Sequence, residues 1–237
     1  MILIYPEKLS SVTADSEDGS FPAVNLEDDK PKKYWRSGGT NVATLTATVA
    51  SGSDQVSLFN TNATSATVVT KLLGVQQESF SINMASPHSV NRFWQSYTAI
   101  AAVHTIEITL SAPTGEAVYG GVLRAGLGVQ LRNPKYGIGE GRRDFSIIKE
   151  LNNGAFYIRK RNAVREIDIS FLADRADQFY EFTAVWDFFG PQPLAILAAE
   201  DVDDNEWAIF GHIISPFSGK HSYFSHTDVS YKITEAV

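Results

Sequence analysis

The sequence predicts a mainly β protein: an N-terminal jelly-roll β-sandwich followed by a second β-sandwich or barrel that carries one packed α-helix. Three observations predict it. From residue 40 to 112 the chain is rich in Thr, Ser, Ala and Val, and its apolar residues alternate with polar ones between turn-forming residues. After residue 131 charge rises and aromatic residues crowd in while short strand-like runs continue. Within that second half a single stretch changes to a period of three to four, the spacing of a helix face.

Taken in order, Val42 to Val49 sets Ala43, Leu45, Ala47 and Val49 on one face and Thr44, Thr46 and Thr48 on the other, a half-exposed pleat that suits β-branched residues. Similar runs follow at Gln55 to Phe59, Thr67 to Leu73, Glu78 to Asn83 and His104 to Ser111, with Gly52, Asn60 to Asn62, Gly74 and Pro87 as turns between them. Short strands spaced by turns read as a sandwich or jelly roll. Asp144 to Leu151, Ala155 to Lys160 and Val164 to Leu172 are the next strands, and Asn152-Asn153-Gly154 favours a tight hairpin between the first two. Ala176, Phe179, Thr183, Trp186 and Phe189 then recur at helical spacing behind Asp174 as N-cap, which predicts a helix over 174–189 stopped by Gly190 and Pro191. Strands at Leu194 to Ala199, Trp207 to Ile214 and Asp228 to Thr234 finish the chain.

Leu131 to Gly141 is dense in turn-formers and reads as a connector, giving domains 1–131 and 132–237. At 237 residues, 26.0 kDa and 43% hydrophobic, the chain can bury one large core or two small ones. The absence of cysteine removes disulfides, thiolate metal sites and cysteine nucleophiles. No apolar run is long enough to span a bilayer, and the opening Met1 to Pro6 lacks the basic flank and apolar length of a signal peptide, so folding is expected to start at residue 1. A net charge of −7 argues against a protein that coats nucleic acid.

No nucleophile elbow, phosphate-binding loop or zinc-protease pair is present, and no catalytic residue, metal ligand or cofactor site is assigned. His221 and His226 are an odd number of residues apart and would face opposite ways along a strand. Asp201, Asp203 and Asn205 begin like a calcium loop, but Glu206 stands where a glycine is required and His212 where a carboxylate is, so the run reads as an acidic turn. Arg159, Lys160, Arg161 and Arg165 form a basic cluster at the join of two strands. Its bland reading is an exposed hairpin end, and its functional reading is an interface with an acidic protein surface. The helix carries bulky residues around more than one face. Phe179, Trp186 and Phe189 suffice to cover a sheet, which leaves Tyr180, Phe182 or Phe188 for a second surface in this chain or another subunit.

The stretch Ser20-Phe21-Pro22-Ala23-Val24-Asn25-Leu26, the acidic residues after it and Tyr34-Trp35-Arg36-Ser37 resemble the opening of discoidin-like, galactose-binding-like domains. The run His104 to Ser111 with Val118 to Gly126 looks like the closing strands of the same jelly roll. The resemblance covers about the first 130 residues and implies a sandwich whose loops bind sugar or another protein. In the sugar reading the loops around Tyr34, Trp35 and Arg36, with Phe93, Trp94 and Tyr97, supply aromatic platforms. In the alternative these rings are sandwich core, with Trp35 packed inside and Arg36 fastening the acidic loop.

The remainder is similar to tail-tip proteins of tailed bacteriophages. The order strands, one helix, Gly-Pro stop, strands, with Trp207 to Ile213 after an acidic turn, looks like the tube-building domain of distal tail and tail-tube proteins. That similarity implies a non-enzymatic structural component of a tail tip or baseplate. It would assemble as a homo-oligomeric ring, usually hexameric, with other tail proteins around a channel through which DNA passes as cargo. The hairpin would make ring contacts, and the chain would be made in the bacterial cytoplasm without a membrane stage or cofactor. A carbohydrate-binding module for host-surface recognition is the alternative, and a hydrolase whose two carboxylates leave no local motif is the third reading.

Overall fold

In the computed structural model, which describes residues 1–85, 91–134, 138–150, 155–174, 178–199, 206–214, 218–221 and 226–236, the alternating threonine-rich runs are strands with their apolar face inward. The protein is mainly β, with two large antiparallel sheets and one short helix. The chain divides into two compact units, Met1–Asn133 with Leu194–Phe210 and Pro134–Pro193 with Gly211–Val237.

The first unit opens with β1 (Ile2–Glu7) and β2 (Leu9–Ala14), passes a 3-10 turn at Ala23–Glu27, and continues through β3 (Trp35–Arg36), β4 (Val42–Val49), β5 (Ser53–Phe59) and β6 (Ser65–Leu72). It goes on with β7 (Val75–Asn83), β8 (Arg92–Ile100), β9 (His104–Ser111), β10 (Tyr119–Gly120) and β11 (Val122–Gln130). One sheet has the order β2-β4-β9-β6-β7, and the other runs β1-β11-β5-β8. Leu45, Val68, Ile106 and Ile108 from the first meet Leu58, Phe93 and Leu123 from the second in one buried core. Threonine alternation does this directly, because a strict period of two puts Ala43, Leu45, Ala47 and Val49 of β4 and Ile106, Ile108 and Leu110 of β9 on the core side, while Val42 shares the outer face with the threonines.

The second unit contributes β12 (Gly139–Arg143), β13 (Ile147–Glu150), β14 (Phe156–Arg159), β15 (Val164–Asp174) and α1 (Gln178–Phe189). The chain then returns to the first unit as β16 (Leu194–Leu197), which pairs Leu197 with Ile2. It crosses back along β17 (Ala208–Ile213) and ends with β18 (Ser218–His221) and β19 (His226–Glu235). β15 lies between β12 and β19, and β18 and the last residues of β17 also pair with β19. Among the described residues β13 and β14 pair only with each other, Ile148 opposite Ile158 and Glu150 opposite Phe156.

Several expectations shift. The division at 131/132 lies close to the first crossing at 133/134, but Leu194–Phe210 belongs with the first unit because β16 extends the sheet that β1 begins. Gly139 to Gly141, read as connector, are part of β12 and gain ladder partners from Glu166 to Asp168. Asp174 is the last residue of β15, opposite His226, and the helix is described from Gln178; residues 175–177, where the expected helix start falls, lie outside the described residues. The buried stripe of α1 centres on Phe182 and Val185 rather than on Phe179 and Trp186, because the Phe182 ring lies 5.7 Å from Phe171 and 5.1 Å from Tyr231. Gly190 closes the helix as expected, at φ +52 with its N–H donating to the Trp186 carbonyl at 2.8 Å. The hairpin turn 152–154, Pro87, Ala176 and the acidic run 201–205 lie outside the described residues.

Candidate functional site

Chain alternation builds the candidate site around one buried tryptophan. Trp35 is wholly buried, and its indole N–H donates to the Ser16 carbonyl at 3.3 Å. In an extended segment its neighbours must then point the other way, so Tyr34 and Arg36 are turned to the surface. β3 is held by β10, with Arg36 opposite Tyr119 and Trp35 opposite Gly120, which brings the Tyr119 ring 5.6 Å from that of Tyr34. Phe21 stacks on Tyr34 at 4.7 Å with nearly parallel planes, and the Arg36 guanidinium lies 5.6 Å from the Phe21 ring. Arg36 also pairs with Asp18 at 3.3 Å, while its Nε is buried with no hydrogen-bond partner.

Tyr34, Arg36 and Tyr119 line an open cleft of about 570 Å³ whose wall also includes Lys32, Asn60, Asn62 and Glu116. The two asparagines act as braces. Asn60 donates from Nδ2 to the Pro31 carbonyl at 2.8 Å, and Asn62 accepts the Tyr119 N–H at 2.9 Å while donating to the Ala117 carbonyl at 3.0 Å. Thr61 between them donates its hydroxyl to the Tyr119 carbonyl at 2.6 Å. Gly121 lets these loops close: a Cβ there would stand 2.8 Å from the Asn60 Cβ and 2.9 Å from the Pro31 carbonyl oxygen. The Tyr34 and Tyr119 rings, Lys32, Arg36 and Glu116 remain to meet a ligand. Burial, then the negative charge of Glu116, pushes the Tyr119 hydroxyl above its ordinary value, so it stays a neutral donor.

The sequence-predicted residues divide. Tyr34 and Arg36 are on the cleft. Trp35 and Trp94 are corrections to the sugar-contact set, because both are buried; Trp94 donates from Nε1 to Gln55 Oε1 at 2.9 Å, and neither presents a ring face to solvent. Phe93 and Tyr97 are core as well, the Tyr97 hydroxyl donating to Ser53 Oγ at 2.9 Å. Sequence reasoning missed Lys32, Asn60, Asn62, Glu116 and Tyr119, which come from three loops. Their one local signal is the Tyr119-Gly120-Gly121 run, where a glycine pair beside an aromatic marks close backbone approach. In the basic cluster Arg159, Lys160 and Arg161 are exposed. Arg165 is corrected: its side chain is nearly buried and its Nε donates to Glu140 at 2.7 Å across the β12–β15 pair. Among the described residues no cluster of histidine and carboxylate groups is arranged to hold a metal ion.

A second ionic arrangement lies inside the first unit. Arg124 is buried, donates to the carbonyls of Leu26, Leu123 and Asp28, pairs with Asp29 at 2.5 Å and Glu7 at 3.4 Å, and lies 5.0 Å from the Phe210 ring. Burial pushes the Glu7 carboxyl up to about 7 against the pull of Arg124. With every donor directed at the chain itself, this is a fastening for the loop after the 3-10 turn.

No protein-family model and no curated protein matches the sequence. Solved structures do show a likeness over half of the chain. A chitosan-binding module of a chitosanase/glucanase from Paenibacillus sp. IK-5 is 17% identical, covering 50% of this chain and 94% of the module at a TM-score of 0.40. A fucose-binding module from Streptococcus pneumoniae is 9% identical, covering 52% and 94% at 0.40. A chain from the complex of reduced XRCC1 with the DNA polymerase β catalytic domain is 18% identical, covering 51% and 97% at 0.40.

Proposed function

We propose that the protein is a non-catalytic carbohydrate-binding module and that the loop cleft of the first unit is its sugar site. One observation carries the reading: a buried Trp35 turns Tyr34 and Arg36 into a cleft that Tyr119, Lys32 and Glu116 complete. Sugars present apolar C–H faces and hydroxyl edges, and aromatic rings beside a few charged donors and acceptors recognise both. A volume of about 570 Å³ suits a mono- or disaccharide. Among the described residues Glu116 is the one carboxylate in the cleft wall, whereas glycoside hydrolysis ordinarily takes two, so binding without turnover is the better reading. The test is a glycan screen followed by calorimetry. Binding that Tyr34→Ala and Arg36→Ala each weaken about tenfold or more with folding intact supports the proposal, and the absence of binding to any glycan at millimolar concentration overturns it.

A second reading keeps the module but places it in a virion, as a structural component of a phage tail tip or baseplate that recognises a host surface. It rests on the sequence resemblance and on the β13–β14 hairpin, which leaves Ile148, Phe156 and Ile158 exposed beside Arg159, Lys160 and Arg161. A ring around a tail tube, with DNA as passing cargo, would cover such a ribbon. Electron microscopy of the protein mixed with its tail partners tests this reading: rings support it, and dispersed single particles oppose it.

A further inference from the structure

Acids and bases around the loop cleft are unequally satisfied. The carboxylates already accept from the chain. Asp18 takes the Arg36 guanidinium at 3.3 Å and the Ser20 N–H at 3.0 Å, and Asp28, just before the lysine-rich stretch 30–33, takes Lys33 at 2.9 Å. Glu116, in the wall itself, accepts from Asn62 Nδ2 at 3.5 Å. The cations differ. Lys32 is exposed on the cleft wall and, among the described residues, makes no hydrogen bond or ion pair. Arg36 meets Asp18 through Nη2, and with its side chain 43% exposed its Nη1 has no partner among the described residues.

Lys32, Tyr34 and Arg36 alternate along the chain and all three line the cleft, so a sugar stacked on Tyr34 has a cation on either side of it along the segment. An ammonium and part of a guanidinium can only donate, and among the described residues of the wall one carboxylate faces them. The hydroxyls of a neutral sugar donate as well as accept and leave that excess of donors unmatched. A carboxylate or sulfate accepts only, and its hydrogen bonds to such cations are the charge-assisted, stronger kind.

We infer that the ligand of the cleft is an anionic sugar, a uronic acid or a sulfated sugar, whose negative group lies against Lys32 and Arg36 while its hydroxyls meet Glu116. The inference rests on the sugar-binding reading and adds the charge of the ligand to it. Asp18 and Glu116 offset the two cations in total charge, and the whole chain carries −7, so long-range attraction does not produce the preference. Placement does: the cations are on the segment 32–36 and the wall carboxylate is on the turn before β10, which fixes which end of the sugar goes where.

The test is calorimetry on the full chain with matched sugars: galactose against galacturonic acid, glucose against glucuronic acid, and galactose against galactose 6-sulfate. Within a pair only the charged group differs. A charged sugar is expected to bind about tenfold more tightly than its neutral counterpart, and the pair that shows the gain tells carboxylate from sulfate. Lys32→Gln should bring that ratio close to one, and Glu116→Gln should raise it. Both positions are exposed, and unchanged melting curves confirm that the variants fold. Opposite shifts from two substitutions in one wall are not what loss of a merely structural contact gives. Ratios at or below one in all three pairs, or a ratio that Lys32→Gln leaves unchanged, overturn the inference and leave sugar binding standing. Binding of no sugar in any pair, and of no glycan in the wider screen, overturns it together with the reading it rests on.

Discussion

Trp35 in the first unit and Phe182 in the second are both buried rings that turn an aromatic neighbour outward, Tyr34 in one case and Tyr180 in the other, yet the displayed rings end in different settings. Tyr34 is backed by Phe21 at 4.7 Å, bordered by Tyr119 and enclosed by loops whose polar side chains are already satisfied. Tyr180 has the edge of Phe179 at 6.0 Å and otherwise faces outward from a convex helix. A concave, braced aromatic surface preorganises a site for a small rigid ligand, while a convex one needs a macromolecule to supply the other wall. Exposure of an aromatic residue is thus not one signal but two, separated by whether the backbone around it closes.

The sharpest way to break this comparison is to remove the anchors. Trp35→Ala and Phe182→Ala should each cost about 3–5 kcal/mol in chemical denaturation, the range for deleting a large buried ring. A loss below about 1 kcal/mol at either position would mean that the displayed tyrosine is not held by its buried neighbour. Next in size is Gly121→Ala, which forces a Cβ to within 2.8 Å of Asn60 and 2.9 Å of Pro31. It should cost about 1–3 kcal/mol and remove glycan binding without altering any cleft-facing side chain. Retained affinity would show that the brace does not set the cleft.

Tyr34→Ala separates binding from stability. It gives up one stacked pair, about 0.5–1.5 kcal/mol in the melt, but should lower glycan affinity about tenfold or more in calorimetry. The Glu7 carboxyl supplies a pH handle on the same unit. Its folded value of about 7 stands above the ordinary 4.5, so the folded state holds its proton more tightly than the unfolded one. The stability it contributes is full below pH 4.5 and is lost as pH rises through about 7. With the side chain 36% open to water, screening reduces the size of this effect. Thermal melts across that window should slope downward with pH in the wild type and less steeply in Glu7→Gln. An equal slope would sever the link to this carboxyl.

Much of the first unit was legible because threonine alternation in β4 and β9 leaves one solution for which face is buried. Strands β1 and β8 went unread for the opposite reason: Met1 to Ile4 are a continuous buried run, and Phe93-Trp94 puts two large buried residues side by side, so neither shows a period of two. The same ambiguity hid the site. Tyr34 and Trp35 are equally aromatic in sequence, and only the pairing of β3 with β10 decides which one faces the cleft. Lys32 lies more than eighty residues before Glu116 and Tyr119 along the chain and is joined to them by loop closure, which leaves no spacing to recognise. For the helix, periodicity located the element, but which stripe is buried was set by Phe171 and Tyr231 on strands distant in sequence.

The smallest effect is the most informative about the second unit. Tyr180→Ala removes a ring that is 63% exposed and replaces it with the best helix former. In an isolated chain the lost edge contact with Phe179 and the gained propensity oppose each other, so the melting free energy should change by no more than about 0.5 kcal/mol. If the helix stripe is a junction between copies, the same substitution destabilises strongly at high protein concentration and hardly at all at low, because the bound state adds stability by mass action. Melts of wild type and Tyr180→Ala over a wide concentration range read both terms at once. A concentration-independent difference would place Tyr180 with Tyr34, as a residue whose surroundings lie entirely within its own chain.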